Sequence, residues 1–539
     1  MFRSLIACFA VLGLANLTAL GSTQEKLSLE WPQPVRAMPG LEMRFKFAVQ
    51  NPQLEVLTWS IANAPKGMRI DNSGVLRWTP SSSQGTATDV NVLVTGDRGG
   101  RAERKFTVNV NQSDFILVLQ KDANPLVGAL PKKQVHSLEE ALALVESNKG
   151  KSILLAPGIH EMPKRWEELD RHPLQGKSFA TDNVLEILNY GNSSAIIDCR
   201  NTSDGLCLLQ TRGLRVSGVT IANAKVNERG AFSLMESSFI NLELCCAKAA
   251  QGLTANNPCG FLVRDCSEVI LTECAAIDCR DLDSDAWNST SFLLYTSGEK
   301  GHLATLSGCQ STGSIVGFKV KHAGPKTVLL QDCQSLKEEY GFGMSAGTAI
   351  LRGCVAWESG FGLQIGVTDP NKRYTTGGML VENCAFIRCG AGLELQYADD
   401  AGYGSGPKET IVRRSLFLSE KKAGTGERDA RHLELWPYQA ASGISPDACK
   451  IRFSECLHIG PSEKNLVRLG DGEGKDLATI AELETRGLSK SSAFRNLGAI
   501  ELSNQQIAPS KDSGASLHND TFIGPVAPGK VLKVGNLLK

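Results

Sequence analysis

The chain has 539 residues, and its 57 Lys plus Arg balance 57 Asp plus Glu. That length allows a large buried core and predicts more than one domain. The even charge excludes a global field that would draw the protein to nucleic acid or to an anionic membrane. Fifty-three glycines and 6% aromatic residues predict many turns and short strands rather than long helices.

The N-terminus, "MFRSLIACFAVLGLANLTALGS", has Arg3, an apolar run from Leu5 to Leu20 and small residues at Ala19 and Gly21. It reads as a secretory signal, residues 1–21, cleaved after Gly21. "LIAC" at Leu5 to Cys8 imitates a lipoprotein box but sits too early, inside the apolar core of the signal. No later stretch reaches the roughly 20 apolar residues of a spanning helix. The expected product is exported without membrane insertion, secreted or periplasmic/cell-surface, and monomeric.

Residues 22–112 alternate apolar and polar positions between turn signals, as in "FKFAVQ", "LTWSIA", "VNVLVT" and "KFTVNV". This is the period of antiparallel strands and predicts a β-sandwich. "PKGMRIDNSGVLRWTP", Pro65 to Pro80, resembles the core motif of bacterial immunoglobulin-like, cadherin-like domains. That resemblance implies a spacer or docking module and no catalysis.

Next comes a helix, "SLEEALALVESNKG", with Ser137 as N-cap and Glu140 at the capping-box position. A short strand, "KSILLAPGIHEMP", follows it. From there one pattern recurs, an "h-x-h-x-x-C" strand, a turn and a second short strand. It places Val219, Cys245, Cys274, Cys309, Cys333, Cys354, Cys384, Ser415 and Cys456 at one site, at intervals of about 21 to 41 residues. Variable spacing around a fixed minimum is what a solenoid gives when insertions project outward. Cap helix, repeat and the closing segment "ELSNQQIAPSKDSGASLHNDTFIGP" together resemble right-handed parallel β-helix proteins of the pectate-lyase-like group, over residues 113–539. The expected fold class is therefore all-β: an N-terminal sandwich followed by a right-handed parallel β-helix with an N-terminal capping helix.

Stacked coils lie about 4.8 Å apart, so the recurring cysteines form a column. Packed thiols and disulfides both fit that spacing. An odd fifteen cysteines outside the leader, and rungs that would compete for partners, favour thiols. A column of this kind does not wrap a tetrahedral ion, so no metal site is expected there.

The second strands read "GLTA", "GFKV", "GFGM", "GLQI", "GLEL" and "HLEL". If Leu393 and Leu395 point in, an outer row runs Thr254, Lys319, Gly343, Gln364, Glu394, Glu434. A second outer row holds Lys321, Gln396 and Trp436. Long insertions leave the same edge after Gly366, Gln396 and Trp436, and would wall a groove. Glu394 and Glu434 on neighbouring rungs suit an acid pair for glycoside hydrolysis, or simply a solvated polar face. Lys319, with Lys321, suits proton abstraction beside the carboxylate of an acidic polymer. Gln364, Gln396, Trp436, Asp399 and Asp400 are substrate-binding candidates; Trp436 stacks on a sugar ring or covers the edge of the core, and the two aspartates offer oxygens to Ca²⁺. His322 is a candidate acid for the chemistry at Lys319 or simply a loop residue. "RDLDSDAWNSTSF" is rejected as an EF-hand because Ala286 replaces the turn glycine and Phe292 the closing glutamate.

The fold resemblance implies a polysaccharide partner, cleaved by lyase or hydrolase chemistry. Against it stands a non-catalytic glycan-binding or structural solenoid. Signatures of polygalacturonases and of calcium-dependent pectate lyases are absent, so no catalytic residue is carried over from either family.

Overall fold

A computed structural model describes residues 27–30, 35–50, 57–81, 87–97, 99–120, 130–146, 152–162, 174–179, 184–191, 194–201, 204–225, 229–253, 257–283, 289–295, 301–321, 326–344, 348–366, 379–397, 410–419, 431–437, 451–460, 466–469, 476–486, 488–496, 500–503, 506–509 and 532–533. The expected secretory signal, residues 1–21, lies outside these residues. The protein is all-β, built mainly from long stacked sheets of parallel strands.

Three such sheets, of 14, 12 and 11 strands, run the length of the solenoid; they are called here sheets I, II and III. Each full coil contributes one strand to each sheet in that order, for example Lys326–Gln331, Gln334–Leu336 and Tyr340–Met344. The next coil, Thr348–Arg352, Val355–Trp357 and Phe361–Ile365, stacks on it in register. The expected repeat is therefore present as three-sided coils.

The corner between sheets I and II explains the cysteines. One residue there takes a left-handed backbone, with Leu244, Glu273, Gly308, Asp332, Gly353, Asn383, Arg414 and Glu455 at φ of 50° to 65°. Non-glycine residues seldom adopt this conformation. Stacking sustains it, because each corner N–H donates to a carbonyl of the next coil: Glu273 to Ser307 at 2.8 Å, Asp332 to Arg352 at 2.8 Å. The residue after each of these corners is the ladder residue, small enough to sit inside the bend. Cys333 Sγ donates to Leu306 O and Gln331 O, both at 3.5 Å, and Cys354 repeats this with Leu330 O and Arg352 O. All fourteen cysteines among the described residues are free thiols. Burial pushes the Cys333, Cys354 and Cys384 thiols well up, and that of Cys456 to about 12.

Sheet III has its own column, Phe232, Phe261, Phe292, Phe318 and Phe342, all buried and pointing inward. Neighbouring rings stack with centroids 4.7 to 5.1 Å apart. Beyond Phe342 the column continues as Leu363, Leu393, Leu433 and Val467.

Helix α1, Leu138–Glu146, buries Leu138, Ala141, Leu142 and Val145 in the solenoid core. Its entry matches the expected cap: Glu140 N–H donates to Ser137 Oγ at 3.1 Å, and Glu140 Oε2 accepts from His136 N–H at 3.2 Å. Helix α2, Ile480–Thr485, adds Ile480 and Leu483 to the same core. The closing segment forms a small antiparallel sheet of Ile500–Ser503, Gln506–Pro509 and Leu532–Lys533.

The N-terminal strands form a four-stranded sheet (Val35–Ala37, Leu57–Ala62, Ala87–Gly96, Arg101–Val110) and a three-stranded one (Met43–Lys46, Arg69–Ile70, Val75–Trp78). The two sheets share a core that includes Phe45, Phe47, Leu76, Trp78, Val92 and Val108. The sandwich rests on the outer face of sheet I through a buried charge network. Arg215 binds Glu186 at 2.9 Å and Glu243 at 3.0 Å, donates to Arg44 O at 3.0 Å and lies 4.6 Å over the Phe45 ring. Arg36 reaches Val184 O at 2.8 Å and Glu186 at 3.3 Å. Lys46 pairs with Glu273 at 2.5 Å, and Gln331 donates to Val49 O at 3.1 Å.

Candidate functional site

The outer row of sheet III follows the predicted register from Lys319 onward. Lys319 lies beside Gly343, Gly343 beside Gln364, Gln364 beside Glu394 and Glu394 beside Glu434. Above Lys319 the row differs from expectation. Its neighbours are Leu293 and Leu262, on strands Thr290–Tyr295 and Cys259–Arg264, and Thr254 lies outside the described residues. Those two leucines pack with Cys207, Met235 and Cys259 into an apolar outer patch. The row thus passes from apolar to basic to acidic.

Glu394 belongs to the outer row, yet it is only 1% exposed. Gln364 Nε2 donates to its Oε1 at 3.1 Å. This differs from the open polar face expected for that position. Glu434 is partly exposed and ion-paired with Arg431, three residues earlier on its own strand, and with Arg468 on the next rung at 3.9 Å. Two guanidiniums therefore flank this carboxylate. Register brings Glu394 and Glu434 together, and their ion-pair and hydrogen-bond partners make the environments of the two unequal.

Lys319 stands apart from them. Three rungs separate it from Glu394, about 14 Å at the spacing of neighbouring strands. No single glycosidic bond can be touched by both. Lys319 is half-buried and has no acidic partner among the described residues. Its stem lies over Gly343, where an added Cβ would stand 3.9 Å from Lys319 Cγ. Burial, with the like charge of Lys321, lowers the Lys319 amine to about 8. About a tenth of the amine is therefore neutral at pH 7 and half at pH 8, far more than in a free lysine.

Lys321 is two residues beyond Lys319 on the same strand, beside Tyr295. Gln396 pairs in register with Trp436. Asp399, Asp400 and His322 lie outside the described residues, as do the three long insertions. Among the described residues no group of three or more His, Cys, Asp and Glu is placed to hold a metal ion. No helix among them is long and apolar enough to cross a membrane.

Sequence reasoning missed Arg431 and Arg468. The signal was present for both: "RHLEL" puts Arg431 three residues before Glu434, and "NLVRL" repeats the short-strand pattern with Arg468 in the outer slot. It also passed over His432, which turns inward beside His458, their Nδ1 atoms 3.3 Å apart. Burial lowers His432 to about 3, so it stays neutral and contributes no charge to the outer face.

No protein-family model and no curated protein matches the chain. Among solved structures, a candidate alpha-galactosidase/melibiase from Bacteroides fragilis aligns at 16% identity and a TM-score of 0.15, over 27% of this chain and 31% of its own. A candidate alpha-galactosidase from the same organism aligns at 9% identity and a TM-score of 0.17, over 38% and 58%. The chain spans less than two thirds of the length of either, and overlaps this slight carry no argument about activity.

Proposed function

We propose that the protein is an exported, pectate-lyase-like polysaccharide-active enzyme that cleaves an acidic polysaccharide by β-elimination on the outer face of sheet III. In this reading residues 22–112 are an immunoglobulin-like module and residues 113–539 the working solenoid. The observation that carries the proposal is the Lys319 amine: half-buried, unpaired with any acid among the described residues and lowered to about 8 beside Lys321. A general base works best with a pKa near the operating pH, and lysines are brought there by burial and like charge.

In the reaction, neutral Lys319 takes the proton from the carbon next to a uronate carboxylate. The electron pair forms a carbon–carbon double bond, the glycosidic carbon–oxygen bond breaks, and the departing oxygen takes a proton from solvent. The Lys321 ammonium offsets the charge that builds on the carboxylate. Gly343 seats the Lys319 stem, and Gln364 lies one rung further on. Glu394 and Glu434 are too distant for this bond and would meet the polymer further along its length.

A second reading rests on the adjacency of Glu394 and Glu434, which suits hydrolysis with one carboxyl as acid. One screen separates the two. The purified protein is incubated with polygalacturonate, alginate, hyaluronan and neutral glycans, and unsaturated products and new reducing ends are both read. Unsaturated ends lost in Lys319→Ala and kept in Glu394→Gln support elimination. Reducing ends without unsaturation, lost in Glu394→Gln, support hydrolysis. No cleavage of any polymer leaves a non-catalytic, glycan-binding or structural solenoid.

A further inference from the structure

We propose that a cleft between the sandwich and the solenoid binds a neutral carbohydrate, at a site separate from the Lys319 face and independent of its chemistry. The cleft has a volume of about 630 Å³, within the ~300–1,000 Å³ usual for small-ligand sites. The sandwich contributes Thr58, Trp59 and Asn72 to its lining, and the solenoid contributes Ser307 and Asp332.

Trp59 is a fixed, partly exposed aromatic. Its ring lies so close to Gly74 that an added Cβ there would come within 2.5 Å of it, and Gly74 itself has φ of +82°. Phe47 supports the same ring, with centroids 5.7 Å apart. An indole held this way offers apolar area at little entropic cost, and such rings pair an apolar body with a polar edge. Around it stand uncommitted polar groups. The side chains of Thr58, Asn72 and Ser307 have no protein partner among the described residues. Hydroxyl and amide groups of this kind both donate and accept, which matches the hydroxyls of a sugar.

The charges select against an acidic ligand. Lys46 Nζ is already committed, 2.5 Å from Ser73 O and 2.5 Å from the Glu273 carboxylate. The charged lining thus sets two carboxylates, Glu273 and Asp332, against the one ammonium of Lys46, and Gln331 donates to Asp332 at 3.3 Å. The surrounding protein raises its carboxyl to about 6, so it is mostly ionised at neutral pH and accepts hydrogen bonds. A uronate would be repelled, whereas a neutral sugar would not.

Position gives the site its use. Glu273, Gly308 and Asp332 are successive corners between sheets I and II. In a three-sided coil that corner lies opposite sheet III. A chain held in the cleft therefore does not occupy the Lys319 face, and the site would anchor the protein to neutral glycan while that face remains open.

Calorimetric titration of the full chain tests this, with neutral hexasaccharides of glucose, xylose and mannose as probes and hexagalacturonate as the acidic comparison. The expected result is binding of at least one neutral hexasaccharide, weakened ten-fold or more in both Ser307→Leu, which fills the cleft, and Asn72→Ala, and unchanged in Lys319→Ala. Both cleft variants alter partly or fully exposed side chains, and unchanged thermal melting confirms that they fold. The proposal is overturned if no neutral probe binds, if Ser307→Leu and Asn72→Ala bind like the parent, if Lys319→Ala abolishes the binding, or if the cleft variants lose hexagalacturonate instead. Failure of polymer cleavage would leave this result untouched.

Discussion

Replacing Lys319 with Met should stabilise the protein while removing its proposed base. The folded state holds the Lys319 amine at about 8, against 10.5 for the same amine unperturbed. The unfolded chain therefore binds more protons between those two values, and stability must rise as pH climbs through that window. At pH 7 the amine is mostly protonated in both states, and the folded state carries nearly the whole difference, about 3 kcal/mol at 1.36 kcal/mol per pKa unit. Met matches the length and apolar character of the stem without that cost. Urea unfolding at pH 7 should thus show Lys319→Met more stable by up to about 3 kcal/mol, with the gain shrinking to about 1 kcal/mol or less by pH 10. A variant no more stable than the parent at pH 7, or a gain that persists undiminished at pH 10, would refute burial of an unpaired amine as the origin of the shift.

Arg215→Met should be costly, because it leaves Glu186 and Glu243 buried without their shared cation; removing one partner of such a network costs about 3–5 kcal/mol. A loss under about 1 kcal/mol in urea unfolding would show that the sandwich is not held by this network. In the aromatic column, Phe292 stacks on two rings and Phe232 on one described neighbour, so Phe292→Leu should lose about 1–3 kcal/mol of stacking and Phe232→Leu about half that. Equal losses at the two sites would contradict additive stacking. Thiol titration in denaturant should find at least the fourteen described cysteines free, and peptide mapping of bridges among Cys309, Cys333 and Cys354 would contradict the packed column.

The column was legible because each rung repeats one local pattern, and the left-handed corner selects a small side chain at every repeat. The register of Gln364, Glu394 and Glu434 could be read for the same reason: "GLQI", "GLEL" and "HLEL" carry their polar residue in one slot. That cue is missing at Leu262 and Leu293, where the outer slot is apolar and the strand resembles any buried run, whereas "GLTA" carries it off this row. The burial of Glu394 depends on neighbouring coils, which strand alternation alone cannot report. Docking of the sandwich was hidden for a different reason. Arg36 and Glu186 are 150 residues apart, and no local pattern announces a partner at that distance. The groove walls expected from the long insertions, with Asp399 and Asp400, fall outside the described residues and remain part of the proposal.

The most direct test of the proposed elimination at Lys319 is the pH dependence of its product. Initial rates of unsaturated-uronate formation from the best acidic polymer should be measured from pH 6 to 10 for the parent and for Lys319→Ala. Because the base must be neutral and its amine sits at about 8, the parent rate should rise about ten-fold per unit below pH 7.5 and level off above pH 8.5. Lys319→Ala should lose orders of magnitude in rate together with this inflection. Unsaturated product formed by Lys319→Ala at the parent rate and with the parent pH profile would contradict the assignment.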